Sequence, residues 1–129
     1  MNSGFASFAT RGRISYAGTH QKLDREAYRI ISPMINHAHF PKRAAILKFE
    51  GYGGPDGLKV KGSYNTDHLW DPVNEIGFLP SWINSHFQNL IASLKKEDYV
   101  EAAFHAGFVA HYITDSLTPA HHLSYKLIA

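Results

Sequence analysis

A histidine and an aspartate four positions apart near the C-terminus could bind a metal ion together. His111 and Asp115 lie in the segment HYITDSLTPAHH. If this segment is helical, the spacing brings both side chains to one face, one turn apart. A neutral imidazole nitrogen and a carboxylate oxygen are both ordinary ligands of divalent cations. The spacing alone fits a local His–Asp hydrogen bond as well as it fits a metal site.

A further potential ligand follows in the same segment. Pro119 is expected to end the helix, after which the chain can turn His121 back towards the same region. We expect the adjacent His122 to point elsewhere, because neighbouring residues on an ordered segment rarely face one ion.

Two earlier segments also carry candidate ligands. His68 lies in NTDHLWDP, Asp56 stands twelve residues before it in GGPDG, and His20 lies in AGTHQKLDREA. Each of these residues also suits an ordinary structural role. Asp56 fits a turn between proline and glycine, and His20 fits an exposed position near the start of a helix. We assign no metal-binding role to four other histidines: His37, His39, His86 and His105.

The composition of the chain limits the classes of protein in which these candidate ligands could act. The chain has 129 residues, of which 44% are hydrophobic and 19% are charged, as in an ordinary globular domain. A net charge of +2 without a basic stripe argues against a nucleic-acid-binding surface. No apolar run approaches the roughly 20 residues that cross a bilayer. The chain has no cysteine, which excludes disulfides and thiolate chemistry, and its nine histidines favour a metal site.

The elements that would position the candidates are helical. Periodicity and capping signals predict helices over about 20–31, 81–95 and 98–116, and a weaker one over 41–49. Between the 41–49 and 81–95 helices lies a glycine-rich loop, with at most a short strand at 58–60. Small residues on the last helix suit the centre of a bundle. We therefore predict one all-α domain, a compact multi-helix bundle spanning 1–129.

The helix faces can also be predicted. In the first helix, Thr19 would be the cap, and an apolar stripe would face the core: Leu23, Ala27, Ile30 and Ile31. Asp24 would lie on the solvated side. In the 81–95 helix, the buried face would comprise Trp82, Phe87, Leu90, Ile91 and Leu94, with His86 at the surface. Tyr64, Trp70 and Phe78 fit core or rim positions better than a substrate cleft.

The order of GTH, DHLWDP, HYITD and TPAHH along the chain resembles the zinc-dependent phospholipase C and S1/P1 nuclease superfamily. The resemblance runs from about Gly18 to His121. It implies an all-helical fold around a cluster of zinc ions. Asp56, His68, His111 and Asp115 would form one zinc site, Asp115 would bridge to a second zinc bound by His20, and His121 would belong to a third. Asp56 would also act as the general base.

This chain departs from the family pattern at two of the three zinc sites. Family members bind one zinc through an N-terminal tryptophan, and no tryptophan precedes His20 here. They also supply a histidine and a glutamate after the equivalent of His121, whereas HLSYKLIA contains no glutamate. We therefore expect one to three zinc ions, and we expect the natural protein to continue past Ala129.

The function that the resemblance implies is hydrolysis of phosphate esters, phospholipid or another phosphodiester, by a metal-activated water. The ligand set admits Mn²⁺, Fe²⁺ or Ni²⁺ as well as Zn²⁺. The alternative is a non-catalytic helical domain with a single structural zinc. An HD-type phosphohydrolase is disfavoured because Asp67 and His68 stand in the reverse order. The segment 1–16 lacks the apolar core of a signal peptide, although the resembled family is mostly secreted.

Overall fold

Four α-helices make up most of the structure, a computed structural model that describes residues 18–51, 53–55 and 69–118. They are α1 (Thr19–Ile31), α2 (Arg43–Glu50), α3 (Leu79–Lys95) and α4 (Tyr99–Ser116), with short 3-10 turns at Ser32–Met34 and His37–His39. Asp71 and Ile76 form an isolated antiparallel β-bridge, and these ranges contain no β-strand. The predicted all-α class is therefore confirmed for the described ranges. The possible strand at 58–60 lies outside them.

The four predicted helices are all present, and their ends differ from the predicted ones by a few residues. Gly18, not Thr19, is the N-cap of α1; Thr19 is the first helical residue and no side chain caps the helix. At the start of α4, Asp98 is a regular N-cap whose carboxylate accepts a hydrogen bond from the backbone N–H of Glu101. Sequence signals locate the helices well and their first residues less well, because capping depends on single side chains.

Helix α4 is the central element and packs against each of the other three helices. Its small residues allow this. A Cβ atom added at Gly107 would lie 3.1 Å from the backbone carbon of Phe49 and 3.2 Å from the carbonyl oxygen of Ile46. Helix α2 therefore approaches α4 as closely as backbone contact permits, which agrees with the central position predicted for this helix.

The hydrophobic core lies between α3 and α4. Leu79, Phe108 and Tyr112 are its buried members, and the partly buried residues packed against them are Trp70, Ile83 and Phe104. Trp70 is therefore a core residue, as predicted, while Phe78 is 57% exposed. Tyr64 lies outside the described residues.

The predicted inner face of α1 is wrong. Leu23 and Ile30 are 47% and 56% exposed, whereas Gln21 and Asp24 are each only 8% exposed. Gln21 Nε2 donates a hydrogen bond to the carbonyl oxygen of Leu47 in α2, at 3.3 Å. Helix α1 thus turns a polar face inwards, because the groups it packs against are polar.

The predicted inner face of α3 is also partly wrong. Trp82 and Phe87 are 38% and 46% exposed. His86, with a predicted surface position, is half-buried and stacks on Phe108 with ring centroids 4.7 Å apart. The α3–α4 contact is centred on Leu79, Ile83 and His86, so the helix is rotated relative to its most hydrophobic stripe.

Candidate metal centre

Helices α1 and α4 bring three of the predicted ligands together. His20 Nε2 lies 3.3 Å from Asp115 Oδ1, and His111 Nε2 lies 3.2 Å from Asp115 Oδ2. His111 and Asp115 are both 1% exposed. Since the two histidines are 91 positions apart in the sequence, packing of α1 against α4 is what creates this arrangement.

The two oxygens of Asp115 face different imidazoles. The rings of His20 and His111 are stacked almost in parallel, with centroids 3.9 Å apart and an interplanar angle of 14°. Each ring therefore presents a nitrogen to its own carboxylate oxygen.

Glu50, at the C-terminal end of α2, is a further member of the cluster that no sequence pattern indicated. Its Oε1 lies 2.5 Å from His111 Nδ1, and the residue is 3% exposed. An ionised carboxylate is only an acceptor, so the hydrogen bond places the proton of His111 on Nδ1. Carboxylate–histidine pairs of this kind hold a metal-binding imidazole in one tautomer and orientation.

Asp24 is the fifth member, and its predicted position on the solvated side of α1 is wrong. Its carboxyl group lies beside that of Glu50, within hydrogen-bonding reach. Burial and the neighbouring Glu50 carboxylate together raise the pKa of Asp24 to about 7, against the opposing effect of His20 and His111. Two carboxyl groups held this close in the interior favour either a shared proton or a bound cation.

The sequence does carry a signal for Asp24. His20 and Asp24 are four positions apart in α1, the same spacing as His111 and Asp115 in α4. The two helices thus present matching H-x-x-x-D faces to each other. Glu50 carries no comparable local signal, because its relevance depends on where α2 ends.

Several atoms of the cluster are buried and lack a hydrogen-bond partner in the described part of the chain. They include His20 Nδ1, Asp24 Oδ2 and Glu50 Oε2. Buried polar atoms without partners are uncommon in folded proteins, and a bound ion is one way in which such atoms are satisfied. The donor set, imidazole nitrogen plus carboxylate oxygen, is the set that Zn²⁺ and related divalent cations bind.

A His20–Glu50–His111 group could therefore hold a metal ion. Each of the three offers a ligand atom, and these atoms all lie within 4.8 Å of one another. His20 is the most accessible member of the cluster, with 24% of its side-chain surface exposed, whereas the side chain of Glu50 is fully buried. Solvent therefore reaches the cluster on the His20 side.

The remaining predicted ligands, Asp56, His68 and His121, lie outside the described residues. Their assignment to zinc, and that of Asp56 as a general base, stay predictions. The structure brings His20, His111 and Asp115 to one place and adds Glu50 and Asp24 to them.

The other histidines of the described ranges lie elsewhere. His37 bonds through Nε2 with the carbonyl oxygen of Ser32 at 3.0 Å, and His39 Nδ1 with the Tyr99 hydroxyl at 3.0 Å. His86 and His105 form a pair whose Nδ1 atoms are 2.9 Å apart, and burial lowers the pKa of His86 to about 4.

The cluster therefore has to be interpreted from its own geometry. No family model, no curated protein and no solved structure matches this chain.

Proposed function

We propose that this protein is a metal-dependent hydrolase of phosphate esters, a phospholipase C-like phosphodiesterase, with Zn²⁺ as the expected ion. The observation that carries the proposal is the buried Asp115, which lies beside two imidazoles stacked on each other and directs one carboxylate oxygen towards a nitrogen of each. Paired cations bridged by a carboxylate are a common device for phosphodiester hydrolysis. The resemblance of GTH, DHLWDP and HYITD to the phospholipase C and S1/P1 nuclease superfamily supports the same chemistry.

The residues that would hold the cations are His20, Glu50, His111 and Asp115. When bound there, divalent cations neutralise phosphoryl oxygens, lower the pKa of a water molecule and stabilise the leaving oxygen. His68, Asp56 and His121 would extend this ligand set, and Asp56 would accept the proton of the attacking water.

The surrounding residues of the chain contribute orientation and environment. Glu50 holds the proton of His111 on Nδ1, which directs Nε2 towards Asp115. Burial of His111, Glu50 and Asp115 keeps water away from the inner side of the cluster, so charges there interact more strongly than at the surface. The exposed edge of His20 marks the side on which a phosphate ester would approach.

The proposed substrate class is the phosphate esters. Phospholipid and other phosphodiesters are both compatible with the proposed site. Within the described residues, no helix has the length and apolar character required to cross a bilayer.

The alternative, a non-catalytic helical domain with one structural zinc, is favoured by a specific observation. Three of the five members of the cluster are at most 3% exposed, namely Glu50, His111 and Asp115. Structural zinc sites are closed by protein ligands, whereas catalytic sites keep an open position. The partly exposed His20, with 24% of its side-chain surface accessible, is the feature that favours catalysis.

One experiment separates the two functions. The purified protein is loaded with Zn²⁺, its metal content is measured by elemental analysis, and hydrolysis of bis(4-nitrophenyl) phosphate is followed at about 25 °C. We expect bound zinc and zinc-dependent hydrolysis, with kcat lowered by about a hundredfold or more in Asp115→Asn. Asp98→Asn is the matched control, since Asp98 is an exposed cap on the same helix. One tightly bound zinc without hydrolysis would support the structural alternative, and no bound metal would contradict both.

A further inference from the structure

A cavity lies between the 3-10 turn at His37–His39, helix α2 and the first turn of α4. Its volume is about 380 Å³, which is within the usual range for sites that bind small molecules. Most of the side chains that line it are apolar: Ala38, Phe40, Pro41, Ala45, Phe49 and Val100. None of its lining residues belongs to the candidate metal centre.

Hydrogen bonds hold the walls of this cavity in place. The Tyr28 hydroxyl donates to the carbonyl oxygen of Pro41 at 2.9 Å, which attaches the segment after the turn to α1. The Tyr99 hydroxyl lies 3.0 Å from His39 Nδ1 and joins the turn to α4. Helix α2 contacts α4 closely at Gly107. Since each wall is attached to a neighbouring element, a ligand would not have to order the cavity on binding.

Two lysines supply the charge at this cavity. Lys42 and Lys48 line it, both are exposed, and neither forms an ion pair within the described part of the chain. Lys48 Nζ lies 5.7 Å from the centroid of the Phe49 ring, so its ammonium group lies beside an apolar wall. No aspartate or glutamate is among the described residues that line the cavity. The cavity therefore combines apolar walls with positive charge.

We propose that this cavity binds a small amphipathic anion of the size of a medium-chain carboxylate. The hydrocarbon body lies against Phe40 and Phe49, and its burial provides most of the affinity. The carboxylate faces the ammonium groups of Lys42 and Lys48, which make the cavity prefer an anion to a neutral molecule. The inference does not depend on the proposed metal-dependent function, because the cavity and the metal centre share no residue.

The competing occupant is a neutral apolar molecule, for which the two lysines would be solvated bystanders. The two possibilities differ in how affinity depends on the charge of the ligand. One exposed ion pair changes an equilibrium constant by up to about fivefold, so charge recognition is measurable although it is not large.

The test compares three ligands that have the same hydrocarbon chain and different charges: sodium octanoate, 1-octanol and octylammonium chloride. Each is titrated into the full chain and followed by ¹H–¹⁵N NMR. We expect octanoate to bind about two- to tenfold more tightly than octanol, and octylammonium to bind more weakly than both. The amide signals of Ala45 and Val100 should be among those that shift most. Equal affinities, tighter binding of octylammonium, shifts confined to other regions or no binding of octanoate would each overturn the proposal.

Substitution of the lysines tests the charge. The variants are Lys42→Gln and Lys48→Gln, and the matched control is Lys22→Gln, which removes an exposed lysine on α1 that does not line the cavity. We expect each of the two variants to bind octanoate about two- to fivefold more weakly and octanol as wild type does, with the control unchanged. Wild-type affinity for octanoate in both variants would show that the lysines do not recognise the anion.

Val100 allows a second variant that should fold normally. It is 73% exposed and lies in the first turn of α4, where a carboxylate is favourable for the helix. Val100→Glu adds a negative charge at the cavity, so we expect octanoate to bind several-fold more weakly while octylammonium is not weakened. Circular dichroism verifies the fold. Unchanged octanoate binding in this variant would contradict the proposed site.

Discussion

Glu50 Oε1 lies 2.5 Å from His111 Nδ1, and this contact joins the end of α2 to the C-terminal half of α4 across 61 positions of sequence. Both side chains are almost completely buried, with relative exposures of 3% and 1%. The hydrogen bond selects the tautomer of His111 and thereby the nitrogen that faces Asp115. A residue without any local sequence signal thus controls the orientation of a predicted ligand.

The first prediction concerns this contact. Glu50→Gln keeps the shape of the side chain and replaces the charged acceptor with a weaker, neutral one. We expect Zn²⁺ affinity to fall by about 10–100-fold, the usual effect of losing a carboxylate that supports a metal-binding histidine. Competition titration with a chromogenic chelator measures the change, with Glu26→Gln as the exposed control. Unchanged affinity would show that Glu50 neither binds the ion nor positions His111.

The second prediction concerns the stability of the metal-free protein. The folded-state pKa of Asp24 is about 7, above the ordinary value of 3.8, because of burial and the neighbouring Glu50. The stability linked to this group is therefore fully present below about pH 4 and is lost as the pH rises through about 7. Asp24→Asn removes a carboxylate that must ionise in the interior, so we expect it to be more stable than wild type at about pH 8.

Urea denaturation at about pH 8 and pH 4 in the presence of a chelator measures this difference. We expect the gain at the higher pH to be on the order of a few kcal/mol and to shrink towards about pH 4. An Asp24→Asn variant that is less stable than wild type at the higher pH would be inconsistent with a repulsive carboxyl pair.

The third prediction concerns the histidine pair between α3 and α4. Burial, with a smaller contribution from the neighbouring His105, lowers the pKa of His86 from 6.5 to about 4. The unfolded chain therefore takes up a proton near pH 6.5 that the folded chain does not take up until about pH 4. Stability should fall across this interval by up to about 3 kcal/mol and level off below it.

The variant for this test is His86→Asn, whose amide occupies roughly the position of Nδ1 and does not titrate. We expect its unfolding free energy to decline less steeply than that of wild type between pH 6.5 and about pH 4. Parallel pH profiles for the two proteins would argue against a depressed pKa at His86.

The fourth prediction concerns Gly107, where α4 meets α2. An added Cβ would lie 3.1 Å from both the backbone carbon and the Cβ of Phe49, so α2 would have to move. We expect Gly107→Ala to destabilise the protein by about 1–3 kcal/mol, although alanine favours a helix over glycine. Since Glu50 follows Phe49 directly, Zn²⁺ affinity should fall as well. Thermal unfolding and metal titration measure the two effects, and a stabilised Gly107→Ala protein would contradict the close approach.

Much of the fold could be predicted from local patterns. The four helices, the all-α class and the central position of α4 follow from periodicity, capping residues and the small side chains around Gly107, all of which act within a few residues. The inward faces of α1 and α3 could not be predicted in this way. Leu23 and Ile30 are exposed and Asp24 is buried, because the rotation of α1 depends on what it packs against, and that surface is polar.

For the candidate site as well, local patterns predict some features and tertiary packing decides the others. The sequence by itself determined that His111 and Asp115 share a helix face and that His20 begins another helix, since these follow from spacing of four and from a helix start. Only the tertiary structure decided that the two faces meet, that Glu50 supports His111, and that Asp24 points inwards. These relationships join residues up to 95 positions apart. No local pattern encodes such contacts, because they arise from the packing of α1, α2 and α4 around one another.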